Sequence, residues 1–298
     1  MHSVHYHIAV MNPYVEKTIK FVRELPVIGD LFEKRPKVAV LRFSGVISDS
    51  QKKQTISHAR FAKTLDKLSD RTDLKALALV INSPGGAAAQ TSLIADHIRR
   101  LSEDNELPVY AFVEDVAASG GYWLACAADK IYCQQSSIVG SVGVIAASFG
   151  FEDFIEKHNI HRRVHTAGKD KSFLDPFLPE QPSDIKRLSA IQKEIHQSFI
   201  EWVKERRAER LSGADKDLFE GQFWTAGAAL EKGMIDGFGD VRSVMKELFG
   251  DEVCFVDQTP EKKLMFPFSI MGGVKQNEIA QELLDTIESR AYWSRYGL

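Results

Sequence analysis

Val109-Tyr110-Ala111-Phe112-Val113 is a short apolar run, and just beyond it the chain reads Val116-Ala117-Ala118-Ser119-Gly120-Gly121-Tyr122. A brief apolar run of this length reads as a buried strand, and the small residues that follow read as a turn into a helix. Ser119 stands at that junction among alanines and glycines, neighbours small enough to let another backbone approach closely. A serine at a helix N-terminus meets unpaired N–H groups that favour developing negative charge. That is the setting a nucleophilic serine needs when it attacks a carbonyl. The alternative is an N-cap serine, whose hydroxyl accepts from the first helical N–H groups. These seven residues alone leave both uses open.

Outward from this stretch, strands and helices alternate. Val38–Phe43 and Leu74–Ile81 read as buried strands, and Phe61, Leu65 and Leu68 between them mark one face of a helix. Leu93, Ile94, Ile98 and Leu101 form a helix stripe before Val109–Val113, and Ile131–Cys133 and Val142–Ser148 supply further short strands. Arg163–Ala167 is strand-like. The alternation predicts an α/β domain with parallel pairing. A long helix follows Pro182, with Ser183 or Asp184 near its cap and Ile185, Leu188, Ile195, Phe199 and Trp202 at helical spacing. Three segments result: an amphipathic one over 1–36, the α/β domain over 37–248, and a tail over 249–298. That tail carries a short helix near Ile279–Ile287, and its Tyr292, Trp293 and Tyr296 predict that it docks.

Composition narrows the function classes. Of the 298 residues 44% are hydrophobic and 27% charged, the balance of an ordinary globular protein. A net charge of −3 gives no field for nucleic acid. Cys126, Cys133 and Cys254 make neither a disulfide framework nor a CxxC metal site, so a reducing, cytoplasmic location is expected and no metal or cofactor is implied. Cys126 reads as core. No run reaches the 18 apolar residues of a membrane span, and no secretory signal is apparent. Residues 12–36 read as docking on the protein's own body, with peripheral membrane contact as the alternative.

Three further motifs accompany Ser119. Asn82-Ser83-Pro84-Gly85-Gly86 follows a strand, and adjacent glycines there can aim bare N–H groups at one point, as an oxyanion hole requires; an ordinary turn explains them equally. Gly140-Ser141-Val142-Gly143-Val144 sets a serine among glycines. Gly168-Lys169-Asp170-Lys171-Ser172 is a lysine-bearing turn, ordinarily just solvated.

Together these pieces resemble the signal peptide peptidase A family of serine peptidases, over about Val38 to Val241. The resemblance implies a Clp/crotonase-like spiral of β-β-α units with peripheral helices. It makes Ser119 the nucleophile and Lys171, 52 residues later, the general base. Ser141 orients the lysine, and the backbone N–H groups of Gly86 and Gly120 form the oxyanion hole. Gly221-Gln222-Phe223-Trp224-Thr225 and the stretch from Ala228 to Asp236 look like further family segments. Asp170 departs from the pattern, in which an aromatic often precedes the lysine.

A free lysine has a pKa near 10.4, so the base must be brought to about 7.5 by an apolar groove, with help from a cation such as Lys169. The family also implies a homo-oligomer whose sites combine a serine and a lysine from neighbouring subunits, with unfolded or short hydrophobic peptides as substrates. His158, His161 and His165 fall outside the interval in which a Clp-type histidine base would stand. Two alternatives remain: a catalytically silent peptide-binding scaffold, and a crotonase-type acyl-CoA enzyme using Glu114 and Asp115 as its carboxylates.

Overall fold

Alternate residues of the first strand enter two different cores. Ala39, Leu41 and Phe43 join the large cluster containing Phe61, Leu65, Ile94 and Tyr122, whereas Val38 joins Ala76, Phe112, Val244 and Met245. Both faces of the sheet are therefore covered, which explains why its strands read as continuous apolar runs. The computed structural model describes residues 35–49, 55–168, 170–260, 286 and 290–298.

In chain order β1 (Lys37–Ser44), α1 (His58–Ser69), β2 (Leu74–Ser83), α2 (Ala88–Asp104) and β3 (Val109–Ala118) make the first half. There follow α3 (Gly120–Ala125), β4 (Lys130–Cys133), β5 (Ile138–Gly140), α4 (Glu152–Lys157) and α5 (Pro182–Arg207). The remainder is α6 (Asp215–Leu218), β6 (Phe223–Thr225), α7 (Ala226–Glu231), β7 (Gly237–Phe238), α8 (Val241–Phe249) and β8 (Cys254–Asp257).

The expected α/β architecture is present, with one sheet ordered β6-β5-β3-β2-β1-β8. All its pairings are parallel except β5 with β6. β3 is the branch point. Its first half, Tyr110–Val113, pairs with β4, and its second half, Val116–Ala118, pairs with β5. The sheet thus branches within β3 ahead of Ser119, and only β5 runs on toward it, with Gly140 opposite Ala118.

Four expectations need correction. Val142–Ser148 is irregular rather than a strand; the pairing strand is Ile138–Gly140, which ends where Gly140 and Ser141 take positive φ. Arg163–Ala167 is likewise not a strand, and among the described residues no backbone pairs with it. Helix α5 begins at Pro182 with Gln181 in the N-cap position, so Ser183 and Asp184 fall inside its first turn. Finally, the sheet continues past residue 248, since β8 pairs with Lys37–Val40 as a short, half-exposed edge strand. Residues 12–34 and, apart from Thr286, the helix expected near Ile279–Ile287 lie outside the described residues.

Candidate active site

The site is built where the ends of β2 and β3 meet. After β2, Ser83 Oγ donates to Gly45 O (2.7 Å) and accepts from Gly85 N (3.2 Å), folding the Pro84-Gly85-Gly86 turn back on itself. A Cβ on Gly85 would lie 2.8 Å from Ala118 O, Gly120 N and Ser119 Cβ, so only glycine lets the two turns touch. Gly86, at φ 144°, forms a parallel bridge with Ile47. Its neighbours make the bonds there, Ile47 N to Gly85 O (2.8 Å) and Ala87 N to Ile47 O (2.9 Å), which turns the Gly86 N–H to the opposite side. Gly120 is close by, since a Cβ added to it would lie 3.4 Å from Gly86 N. Gly120 is the first residue of α3, where an amide has no carbonyl within its own helix to bond. Gly86 and Gly120, near neighbours beside Ser119, thus each carry an N–H without an acceptor among the described residues.

Ser119 occupies the N-cap position of α3 with φ 51° and ψ −123°, a backbone conformation costly for a residue with a Cβ. Its side chain makes no capping bond, so helix capping does not account for it. The strain is held by Ser119 N donating to Gly140 O (2.8 Å), and by its carbonyl accepting from Tyr122 N and Trp123 N (2.9 and 3.0 Å). Behind it α3 is wholly buried. Tyr122 Oη donates to Met234 O (2.7 Å), and Trp123 stacks on Phe199 at 4.7 Å between ring centroids.

Ser141 is reached through that same Gly140 carbonyl. It too has positive φ (57°), and its N–H donates to Gln222 O (2.6 Å). Its hydroxyl accepts from Tyr296 Oη at 3.4 Å, and the Tyr296 ring meets Phe223 edge-on at 5.2 Å, so the tail docks beside Ser141. Lys171 lies on the exposed turn after Gly168, held by its own N–H to Gly168 O (3.2 Å). Its amine makes no hydrogen bond or ion pair with a described residue, Ser119 included. Asp170 turns to Arg187 of α5 (3.6 Å), so its charge has a partner other than the lysine. Lys169 lies outside the described residues.

The remaining candidates are accounted for. Glu114 pairs with Arg42 (2.6 Å) and Asp115 accepts from Asn82 Nδ2 (2.6 Å). Burial pushes the Cys126 thiol up to about 11 and the Cys133 thiol to about 12, so both are inert core groups, as expected of Cys126. His161 and His165 are exposed. Among the described residues no His/Cys/Asp/Glu group could hold a metal ion.

Two residues near the site were not foreseen. Arg207, fully buried, pairs with Asp236 (2.6 Å) and donates to Gly233 O. Burial alone would push Asp236 up, but the Arg207 hydrogen bond and charge outweigh it and hold the carboxyl below its ordinary value. His196 places Nε2 2.7 Å from Phe219 O and 3.2 Å from Val142 O. Their shared signal is spacing: His196, Phe199, Val203 and Arg207 recur every three or four residues, which puts two polar side chains on an inward helix face.

A strained serine on a strand-to-helix turn in a branched, mostly parallel sheet fits the Clp/crotonase-like class of fold. The same fold is seen in a membrane-bound stomatin-specific protease, solved as a lysine-to-alanine mutant in complex with a substrate peptide. It matches with a TM-score of 0.50 at 17% identity, covering 78% of this chain and 96% of that one.

A sequence model of peptidase family S49 matches residues 102–252, and the chain belongs to that family. It is 26% identical over 208 residues to a putative signal peptide peptidase SppA of Enterococcus faecium, covering 68% of this chain and 60% of the relative. It is 45% identical over 273 residues to a Brucella abortus (strain 2308) protein named Na(+)/H(+) antiporter NhaA, covering 88% of this chain and 37% of that relative. The chain thus spans 37% to 60% of the length of these curated relatives. The stretch shared with the antiporter-named protein includes the one the peptidase model matches, and among the described residues no helix is long and apolar enough to cross a membrane.

Proposed function

We propose that this chain is a serine endopeptidase that cleaves short or unfolded hydrophobic peptides through a Ser119–Lys171 dyad. The observation that carries the reading is Ser119 itself, strained at φ 51°, uncapped, and adjacent to the unbonded amides of Gly86 and Gly120. The neutral Lys171 amine takes the Ser119 proton as Oγ bonds to the scissile carbonyl carbon. The carbonyl oxygen becomes an oxyanion facing the Gly86 and Gly120 N–H groups, an interaction worth about 3 kcal/mol per donor in other acyl-transfer enzymes. Lys171 then returns the proton to the leaving amine as the C–N bond breaks. A water, deprotonated by the same lysine, cleaves the acyl-enzyme and restores Ser119. Ser141 Oγ receives a hydrogen bond from the lysine amine in place of the one from Tyr296.

The lysine-bearing arm supports a homo-oligomer with shared sites. Ile145, Phe149, Phe154 and Ile160 are all more than half exposed around it, an apolar surface that a second copy would cover. The same covering would exclude water from around Lys171.

The test is cleavage of a peptide library by the wild type and by Ser119→Ala. Turnover by the wild type alone, biased toward hydrophobic residues at the cleaved bond, is the expected result. Turnover by both would remove Ser119 from the mechanism. Turnover by neither would favour a silent peptide-binding scaffold.

A further inference from the structure

Three carbonyls and one histidine fix the turn that joins Ser119 to Ser141. Gly140 O holds the Ser119 N–H at 2.8 Å, and Gln222 O holds the Ser141 N–H at 2.6 Å. Val142 O accepts from Gly221 N at 3.1 Å and faces His196 Nε2 at 3.2 Å. His196 Nε2 also faces Phe219 O at 2.7 Å. Both of its partners are carbonyls and can only accept, so the hydrogen lies on Nε2 and is shared between them. The turn needs such pinning. Ser119 and Ser141 both sit at positive φ, and non-glycine residues stay there only when their surroundings over-determine them.

His196 is well placed to pin it because α5 is itself anchored. Trp202 Nε1 donates to Trp123 O (3.0 Å), Arg206 Nε to Cys126 O (3.0 Å), and Phe199 stacks on Trp123. Toward its other end Asp184 accepts from Leu174 N (3.2 Å) and Arg187 meets Asp170, both in the lysine turn. One 26-residue helix therefore touches the helix behind Ser119, the Ser141 turn and the Lys171 turn.

We infer that His196 is a positioning residue, whose Nε2–H bonds to Val142 O and Phe219 O register the Gly140–Val142 turn and, through it, Ser119 and Ser141. The catalytic part of this inference rests on the proposed dyad; the registering part does not. It acts on geometry rather than on substrate, so its loss lowers kcat and leaves KM nearly unchanged.

The experiment uses the full chain with His196→Asn, whose shorter amide falls short of both carbonyls, and His196→Gln, whose amide N–H can reach them. Two readouts are taken: kcat and KM on a peptide the wild type cleaves, and amide hydrogen exchange at Ser119 and Ser141. His196→Asn is expected to lose about tenfold or more in kcat with KM within about threefold, since small misplacements of reacting groups cost that much. Its Ser119 and Ser141 amides exchange faster, and His196→Gln recovers both properties. Unchanged exchange in His196→Asn, or a Gln variant as impaired as the Asn one, would overturn the inference. Exchange does not depend on turnover, so failure of the dyad, seen as Ser119→Ala retaining activity, is read separately.

Discussion

Residues 116–128 and residues 143–181 meet water in opposite ways. In the first stretch every residue is buried except Ser119, which is half-exposed. In the second, Ile145, Phe149, Phe154 and Ile160 are 53% to 79% exposed, and regular structure among the described residues is limited to a six-residue helix. The Ser119 side is completed within one chain: sheet, glycine turn and α3 lock it from beneath. The lysine side is held by bonds within itself, such as Arg162 to Asp175 (2.7 Å) and Phe151 N to Pro176 O (2.6 Å), and by Asp184 and Arg187 of α5, and it presents apolar side chains outward. The difference teaches that Ser119 draws its geometry from the core, while Lys171 sits on an arm whose apolar side chains face water.

The strongest blow to the first region would be Asp236→Asn. It leaves the fully buried Arg207 charge without its partner beneath α3, and a loss of about 3–5 kcal/mol in stability is expected from denaturant unfolding. The sign with pH follows from the depressed carboxyl. Asp236 stabilises the fold above its unfolded pKa near 3.9, and that contribution is lost as pH falls through the lower folded value. The wild type should therefore lose stability more steeply below about pH 4 than Asp236→Asn does.

Gly86→Ala comes next. Its Cβ would sit 2.1 Å from Ile47 O at φ 144°, so a cost of about 2–3 kcal/mol is expected together with loss of peptidase activity. An unaffected melting temperature would show that the cradle is less tightly set than the geometry implies.

Dilution strikes the other region. If a second copy covers the arm, activity per mole should fall by about tenfold or more as the oligomer dissociates, followed by sedimentation alongside turnover. Constant activity in a purified monomer would mean that one chain completes its own site. The smallest effect belongs to Tyr296→Phe. Removing the hydroxyl frees Ser141 Oγ from a 3.4 Å contact, and a rise of no more than about threefold in kcat is expected, in keeping with one weak hydrogen bond.

Much of the sheet was legible because its strands are buried on both faces: Val38–Phe43, Leu74–Ile81 and Val109–Val113 all lie inside observed strands. β5 was not, since three residues carry no periodicity, and the neighbouring Val142–Ser148 offered a more apolar pattern with no ladder partner to realise it. β8 escaped for the same reason, as a four-residue, half-exposed edge strand.

In the site, the glycines and Ser119 announced themselves because small residues at a strand end are poorly explained by packing. His196 and Arg207 did not, since their partners are backbone carbonyls and a carboxylate far off in sequence. Their only trace was a polar residue on the inward stripe of α5. Asp170 looked like a liability beside Lys171, and its partner Arg187 lies on a helix whose approach no local pattern encodes.

Ser119 as a nucleophile dependent on Lys171 is the central claim, and reaction with a fluorophosphonate followed by peptide mapping tests it most directly. The wild type should gain one adduct, on Ser119; Ser119→Ala should gain none, and Lys171→Ala should react at least about a hundredfold more slowly. Labelling that persists in Ser119→Ala, or that proceeds at the wild-type rate in Lys171→Ala, would contradict the account.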